Sequence, residues 1–190
     1  CESYGRVEAR TRNDNSVDSY GYDGLGRMTQ RGAGSRTETW TYDTCDGSYS
    51  IGSVCKESST EGSFTVTRAF GYNTSGNQDE ESATVGSSSP YIIERGYDHR
   101  GLLTSLSYPG PDDVTVLYAY DDEGQVDAVS AQFGSGSPTP IASGFKFLPF
   151  GPVMRYQFYN GQIRTNTYYD NYLLERTTTT GTQDLAFSYN

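Results

Sequence analysis

The sequence predicts an all-β fold made of repeated antiparallel β-hairpins, and three observations support this. A corner of the form Tyr-x-Tyr-Asp-x-x-Gly-Arg stands within residues 19–31 and recurs in imperfect copies along the 190 residues. Short runs of alternating polarity flank the copies, as expected for half-buried strands. Tyr (17) and Gly (22) are abundant, whereas no stretch shows sustained helical periodicity. Such a chain is expected to build its interior from stacked aromatic rings.

The first full copy shows how a corner should fold. Asp23 is placed to accept backbone amides at the start of a turn, and Gly26 supplies a positive φ without a Cβ clash. Tyr22 and the tyrosine two residues before it project from one face, where a ring is buried and its hydroxyl finds a partner. Arg27 is expected to brace the turn by a charge-assisted bond to Asp23.

The other copies are found by following the Tyr-Asp position, at an irregular spacing of about 20 to 30 residues that is typical of repeat arrays. Asn replaces Asp in two copies, which keeps the turn chemistry and removes the charge. The copies are Tyr22–Asp23, Tyr42–Asp43, Tyr72–Asn73, Tyr97–Asp98, Tyr120–Asp121, a degenerate Phe147–Leu148, Tyr169–Asp170 and Tyr189–Asn190. Residues 1–190 are therefore predicted to be a single array that starts and ends in mid-repeat.

This pattern resembles the YD-repeat (Rhs-repeat) family, which is found in bacterial polymorphic-toxin proteins, insecticidal toxin complexes and the animal teneurins. The segments 149–152 and 158–161 also resemble the family's recurrent PFGP…YNG variant. The resemblance covers nearly the whole chain. It implies a curved or spiralling strip of hairpins, a solenoid or shell segment, which in longer relatives encloses another polypeptide.

The chain has three cysteines. Cys45 and Cys55 flank an insertion after a Tyr-Asp pair, and a hairpin there would bring them within disulfide reach. Closing so short a loop contributes about 2 to 3 kcal/mol on the chain-entropy model. The bridge points to an oxidising compartment, outside the cell or at its surface. Cys1 has three interpretations: a free thiol at a fragment end, a bridge to another chain, or the acylated first residue of a bacterial lipoprotein.

The formal net charge of −10 and the acidic composition argue against nucleic acid as a partner, because nucleic-acid binding needs a basic surface. They also disfavour an anionic membrane surface. No run of about 20 apolar residues is present, so no membrane span is predicted. Exposed aromatic rings leave carbohydrate as a possible partner.

Few residues suggest catalysis. The single histidine, His99, stands in a turn beside Asp98, and an exposed turn residue is the simpler interpretation than a catalytic base. The acidic runs 79–81, 112–113 and 121–123 do not match a calcium loop and are interpreted as solvated turn carboxylates. The sequence therefore predicts no catalytic residues, no metal site and no cofactor.

Three functions remain open at this stage. The first is a non-catalytic extracellular module that self-associates head to tail by completing a split repeat, giving a filament or scaffold. The second is a fragment of a toxin-encapsulating YD-repeat shell, or of a cell-surface adhesin that binds protein or carbohydrate. The third, a hydrolase or sugar-binding enzyme, has the least support.

Overall fold

The computed structural model describes residues 5–45, 49–149 and 151–189, and these residues form sixteen β-strands and no helix. Neighbouring strands pair antiparallel. The predicted all-β fold of antiparallel hairpins is therefore confirmed. The roles predicted for Cys1 and Asn190 concern residues that lie outside these ranges.

The chain divides into two compact units, Cys1–Arg95 and Gly96–Asn190. The first contains β1 (Ala9–Thr11), β2 (Val17–Tyr22), β3 (Met28–Ala33), β4 (Arg36–Tyr42), β5 (Val54–Glu61), β6 (Phe64–Tyr72), β7 (Gln78–Val85) and most of β8 (Tyr91–Tyr97). The second contains β9 (Leu103–Tyr108), β10 (Val114–Tyr120), β11 (Val126–Phe133), β12 (Thr139–Phe147), β13 (Val153–Phe158), β14 (Ile163–Tyr168), β15 (Leu174–Thr179) and β16 (Gln183–Ala186). A single array over residues 1–190 stays a prediction.

Within each unit the strand order in the sheet is the chain order. Because consecutive strands run in opposite directions, their turns alternate between two edges of the sheet. One edge carries short turns such as Gly34–Ser35 and Gly62–Ser63, in which both glycines have a φ of +61°. The other edge, here called the corner edge, carries the turns after the even-numbered strands. The predicted Tyr-Asp corners of each unit therefore lie side by side along one edge.

The two faces of the first unit differ in chemistry. Residues that pair directly across neighbouring strands share a face. One such row carries large and charged side chains: Tyr20, Arg31, Glu38, Ser59 and Val66. The adjacent row, on the opposite face, is small and uncharged: Ser19, Gly32, Thr37, Thr60 and Thr65.

Ion pairs between strands neutralise the charged face. Arg68 donates to Glu57 at 2.6 Å and to Glu81 at 2.5 Å, and Arg95 donates to the second oxygen of Glu81 at 3.0 Å. The hydrogen bond from Arg68 is the main cause that lowers the pKa of Glu81. These charges thus face opposite charges on the neighbouring strands, which favours one register of pairing.

The faces of the second unit separate apolar from polar residues. Three rows define what we call the apolar face: Tyr108, Val114 and Phe133; Leu106, Val116, Ala131 and Thr139; and Tyr118, Val129, Ala142 and Phe158. Two rows on the opposite side, here called the polar face, are Ser107, Thr115 and Gln132, and Ser105, Leu117 and Ser130. This alternation is the pattern of strands with one face intended for burial.

Within each unit, the described strands pair with their neighbours in the chain and form a single sheet. The buried hydrophobic residues are small, namely Cys55, Ala131 and Ala142, and no large side chain is fully buried. The expected interior of stacked aromatic rings is present in part: Phe145 stacks on Phe147 and on Tyr156, but most corner rings of the described residues are only half-buried. The accessible surface is 12555 Å², against about 9,000 Å² for a globular monomer of this mass.

Candidate functional site

Asp23 organises the first full corner. Its Oδ1 accepts the backbone N–H groups of Leu25 and Arg27, both at 2.9 Å, and its Oδ2 accepts Nε of Arg27 at 2.8 Å. Gly26 donates its N–H to the Asp23 carbonyl at 3.0 Å and has a φ of +84°. The pKa of Asp23 is lowered, chiefly by the backbone amide of Arg27. The contact expected between Arg27 and Asp23 is present.

The same turn occurs at three further predicted corners, at Asn73, Asp98 and Asp121. In each, the side-chain oxygen accepts the backbone N–H of the residue four positions later, at 3.0, 2.9 and 2.8 Å. The backbone N–H of the same Asn or Asp also donates to the carbonyl of the residue four positions later, at 2.9 Å in all three corners. Tyr72, Tyr97 and Tyr120 end the strands that lead into these turns. Asn serves as well as Asp because the turn needs an acceptor and not a charge.

Tyrosine hydroxyls connect several corners to the preceding one. The hydroxyl of Tyr42, for example, donates to the backbone carbonyl of Met28, the residue that follows the turn at Asp23. The following tyrosines donate such bonds at 2.7 to 2.9 Å: Tyr22 to Val7, Tyr42 to Met28, Tyr72 to Val54, Tyr120 to Leu103, Tyr168 to Val153 and Tyr189 to Leu174. We call this set the tyrosine ladder. Sequence gives no signal for its acceptors, because a main-chain carbonyl carries no side-chain identity.

Arg27 forms a second connection between corners. It donates through both terminal nitrogens to the carboxylate of Asp43, at 2.9 and 2.5 Å, while holding Asp23 in its own turn. Its guanidinium carbon lies 4.3 Å from the centre of the Tyr42 ring. The hydrogen bond from Arg27, followed by the amide of Gly52 at 2.6 Å, lowers the pKa of Asp43 to about 2. This corner is thus fixed by charge as well as by the ladder.

The corner at Asp43 also carries the cysteine insertion. Tyr42 pairs with Val54, whereas Tyr22 pairs with Met28, so this turn is six residues longer. Cys45 and Cys55 form a disulfide with a Cα–Cα distance of 4.7 Å, the bridge that the sequence predicts. The disulfide closes the extra residues into a loop at the corner edge and leaves the strand pairing on either side in register.

The corner predicted at Tyr169 and Asp170 lies one residue earlier. Tyr168 donates the ladder bond to Val153 at 2.7 Å, and Tyr169 takes the backbone position that Asp23 has in the first corner. Tyr172 stands where the other corners have glycine, with a φ of +64°. Asp170 is exposed. The corner pair is therefore corrected to Tyr168 and Tyr169, because the backbone spacing of the turn, and not the Tyr-Asp dipeptide, fixes the register.

The degenerate corner at Phe147 and Leu148 keeps the backbone turn of the other corners but lacks the tyrosine hydroxyl that makes a ladder bond. The backbone N–H of Leu148 donates to the Pro152 carbonyl at 3.1 Å, and Gly151 donates to the Leu148 carbonyl at 3.0 Å. Phe147 occupies the tyrosine position at the end of β12. Since phenylalanine has no hydroxyl, this corner makes no ladder bond.

Other candidate residues lie at the surface. His99 is exposed, and its neighbours Asp98 and Arg100 pair with each other at 2.9 Å. Among the described residues, no group of three or more His, Cys, Asp or Glu side chains is placed to hold a metal ion. The described residues also contain no helix long and apolar enough to span a membrane.

A cleft of about 590 Å³ lies beside the cysteine loop in the first unit. Phe70 and Tyr72 contribute rings, and Glu80 and Glu94 contribute carboxylates that stand opposite each other on β7 and β8. Gly71, paired with Glu80, has no side chain and so leaves the space open. Carbohydrate as a partner stays a prediction.

No family model matches the sequence, and no curated protein matches it. Solved structures do match. A TcdB2–TccC3–Cdc42 complex superposes with a TM-score of 0.66 at 13% identity, over 98% of this chain and 12% of that chain. The Tc holotoxin pore of Photorhabdus luminescens, carrying a TccC3 mutation, gives 0.64 at 13% identity, over 98% and 11%.

A TcdB2–TccC3 complex without its hypervariable C-terminal region gives a TM-score of 0.63 at 13% identity, over 92% of this chain and 11% of that chain. This chain therefore spans about an eighth or less of the length of the chains it matches. At this identity the likeness concerns the fold alone. The hairpin array with its corner edge has the same fold as part of these much longer Tc toxin proteins.

Proposed function

We propose that this chain is a non-catalytic structural module of the YD-repeat type that forms part of the wall of a longer protein. The tyrosine ladder carries this proposal. Each ladder bond joins a side chain of one corner to the main chain of the preceding corner, so repeats are stabilised in series by their neighbours. Such a device builds an extended wall and does not create a reaction centre.

The fold comparisons support a longer parent protein. The matching chains belong to Tc toxin complexes, and this chain corresponds to 11 or 12% of their length. In a shell of that kind, one segment of hairpins would be continued by further hairpins on both sides. The wall role also accounts for the accessible surface of 12555 Å², because part of the surface of a wall segment is covered only in its assembly.

The charge arrangement supports a role without catalysis. The charged groups at the corners, such as Asp23, Arg27 and Asp43, form ion pairs with one another. His99 is exposed and stands in a turn. A reaction centre would need a poised acid, base or nucleophile in a concave site, and the corner edge offers paired charges instead.

The disulfide supports an oxidising compartment, so we place the module outside the cell or at its surface. Intact-mass measurement and peptide mapping of the protein from its native source test the proposal. The expected result is a polypeptide with a mass well above 20.9 kDa, in which Cys45 and Cys55 are oxidised. A mature product of 20.9 kDa would contradict the longer wall.

That second outcome would favour self-association. Among the described strands, β1 and β16 each pair with one neighbour only, and a strand with a free edge is a template for another chain. Head-to-tail addition at these edges gives an open filament. Electron microscopy of the isolated chain tests this alternative: filaments support it, and uniform single particles contradict it.

A further inference from the structure

The turn between β13 and β14 contains the only Asn-Gly pair in the sequence, Asn160 and Gly161. Both residues are exposed, and Gly161 has a φ of +84° with open space where a Cβ would stand. Glycine carries no side chain that shields its backbone nitrogen. That nitrogen can therefore attack the side-chain carbonyl carbon of the asparagine before it, which makes this pair a candidate for chemical modification.

The reaction of such a pair is deamidation. The Gly161 nitrogen loses its proton and forms a bond to Cγ of Asn160, and the bond from Cγ to Nδ2 breaks, so that Nδ2 takes up a proton and leaves as ammonia. The product is a succinimide ring. Water then opens this ring to aspartate or to isoaspartate, in which the main chain runs through the former side chain. Water is the only co-reactant.

Hydrogen bonds in the folded turn hold both reacting groups. The Gly161 N–H donates to the Phe158 carbonyl at 2.9 Å, so the proton that must leave is engaged. Gln162 holds the Asn160 side chain at both polar atoms. Oδ1 of Asn160 accepts the backbone N–H of Gln162 at 3.1 Å, and Nδ2 of Asn160 donates to Oε1 of Gln162 at 2.8 Å.

Gln162 is itself fixed to the turn that follows β15. Its Nε2 donates to the Thr180 carbonyl at 3.2 Å and to the Thr182 hydroxyl at 2.9 Å. Gln162 thus connects two turns of the second unit. Because the Asn160 side chain must leave Gln162 before Cγ can meet the Gly161 nitrogen, the reaction is confined to molecules in which this turn has opened.

We propose that Asn160 is a site of spontaneous deamidation, and that Gln162 is the positioning residue that keeps it unreacted in the folded chain. The modification replaces an amide donor by a carboxylate, which adds a negative charge and cannot donate to Oε1 of Gln162. Isoaspartate also lengthens the main chain of the turn. Deamidation therefore loosens the connection between the two turns. This proposal does not depend on the wall role.

Peptide mapping by mass spectrometry, during incubation at neutral pH, is the test. The folded wild-type chain is expected to deamidate at Asn160 more than about tenfold slower than the same chain unfolded in urea. Gln162→Ala is expected to raise the rate in the folded chain about tenfold, corresponding to about 1.4 kcal/mol of opening free energy. The matched control Gln132→Ala removes an amide that bonds to the Gly134 carbonyl in another turn, and it is expected to leave the rate unchanged.

Two further measurements separate local opening from global unfolding. Gln162→Glu keeps the acceptor for Nδ2 of Asn160 and removes the donor to Thr180 and Thr182, so its rate is expected to lie between those of the wild type and Gln162→Ala. Urea titration of Gln162→Ala is expected to give a midpoint close to that of the wild type; a fall large enough to account for the faster reaction would overturn the role of Gln162. Equal rates in the folded and unfolded chain, no conversion in either, or equal effects of Gln162→Ala and Gln132→Ala would overturn the proposal.

Discussion

The tyrosine ladder makes a quantitative prediction at Tyr120. Its hydroxyl donates to the Leu103 carbonyl at 2.7 Å, and burial raises its pKa, which keeps the hydroxyl protonated as a donor. Tyr120→Phe removes this donor and keeps the ring. A hydrogen bond between neutral groups contributes about 1 kcal/mol net to stability, within a range of about 0.5 to 1.5. The half-buried position gives no reason to expect more.

Chemical denaturation of the wild type and the variant, with thermal unfolding alongside, measures the effect. The expected loss of about 1 kcal/mol corresponds to a fall of about 2 to 4 °C in Tm for a chain of this size. The matched control is Tyr159→Phe, because that side chain is 72% exposed and is not one of the six ladder tyrosines. It is expected to change stability by less than about 0.5 kcal/mol, as ordinary surface substitutions do.

The degenerate corner supplies the converse experiment. Phe147→Tyr places a hydroxyl at a corner where the ladder lacks one, and is expected to stabilise the chain by up to about 1 kcal/mol. Equally mild effects of Tyr120→Phe and Tyr159→Phe would refute a stabilising role for the ladder. A stabilising role would also be refuted if Tyr120→Phe left the free energy of unfolding unchanged and Phe147→Tyr lowered it.

Three further predictions follow from the corners. Because the pKa of Asp43 is lowered to about 2, its contribution to stability is complete above its unfolded value of about 4 and is lost as the pH falls through about 2; Asp43→Asn should flatten acid unfolding in that window, and an unchanged profile would refute the assignment. Reducing the Cys45–Cys55 bridge, or changing both cysteines to serine, should lower the free energy of unfolding by about 2 to 3 kcal/mol in urea titrations, and a loss below about 0.5 kcal/mol would count against it. Gly124→Ala should cost about 1 kcal/mol since φ is +81° there, whereas Gly110→Ala, without positive φ and with open space around it, should be neutral in the same titration.

Local chemistry accounts for what the sequence could predict. The bonds of Asp23 to its own turn follow from residues within four positions, and the disulfide follows from two cysteines flanking one loop. The link from Arg27 to Asp43 joins residues sixteen positions apart and depends on strand register. It was therefore not predictable from the residues of a single corner.

The misplaced corner at Tyr169 and Asp170 has a different cause. The dipeptide matches the repeat, but the turn needs a step of six residues from its tyrosine to the first residue of the next strand, as from Tyr22 to Met28. Tyr168 and Leu174 satisfy that spacing. Counting this interval would have found the register. The sequence could not predict that no large ring among the described residues is fully buried, because alternation indicates which side chains share a face and not how deeply that face is buried.

The ladder bonds are accepted by main-chain carbonyls, so they do not depend on which side chains stand at the acceptor positions. Val7, Met28, Val54, Leu103, Val153 and Leu174 accept equivalent bonds although their side chains differ. A peptide oxygen is supplied by every amino acid, so a substitution at these six sites leaves the bond intact. An architecture joined in this way therefore tolerates many different side chains at its acceptor positions.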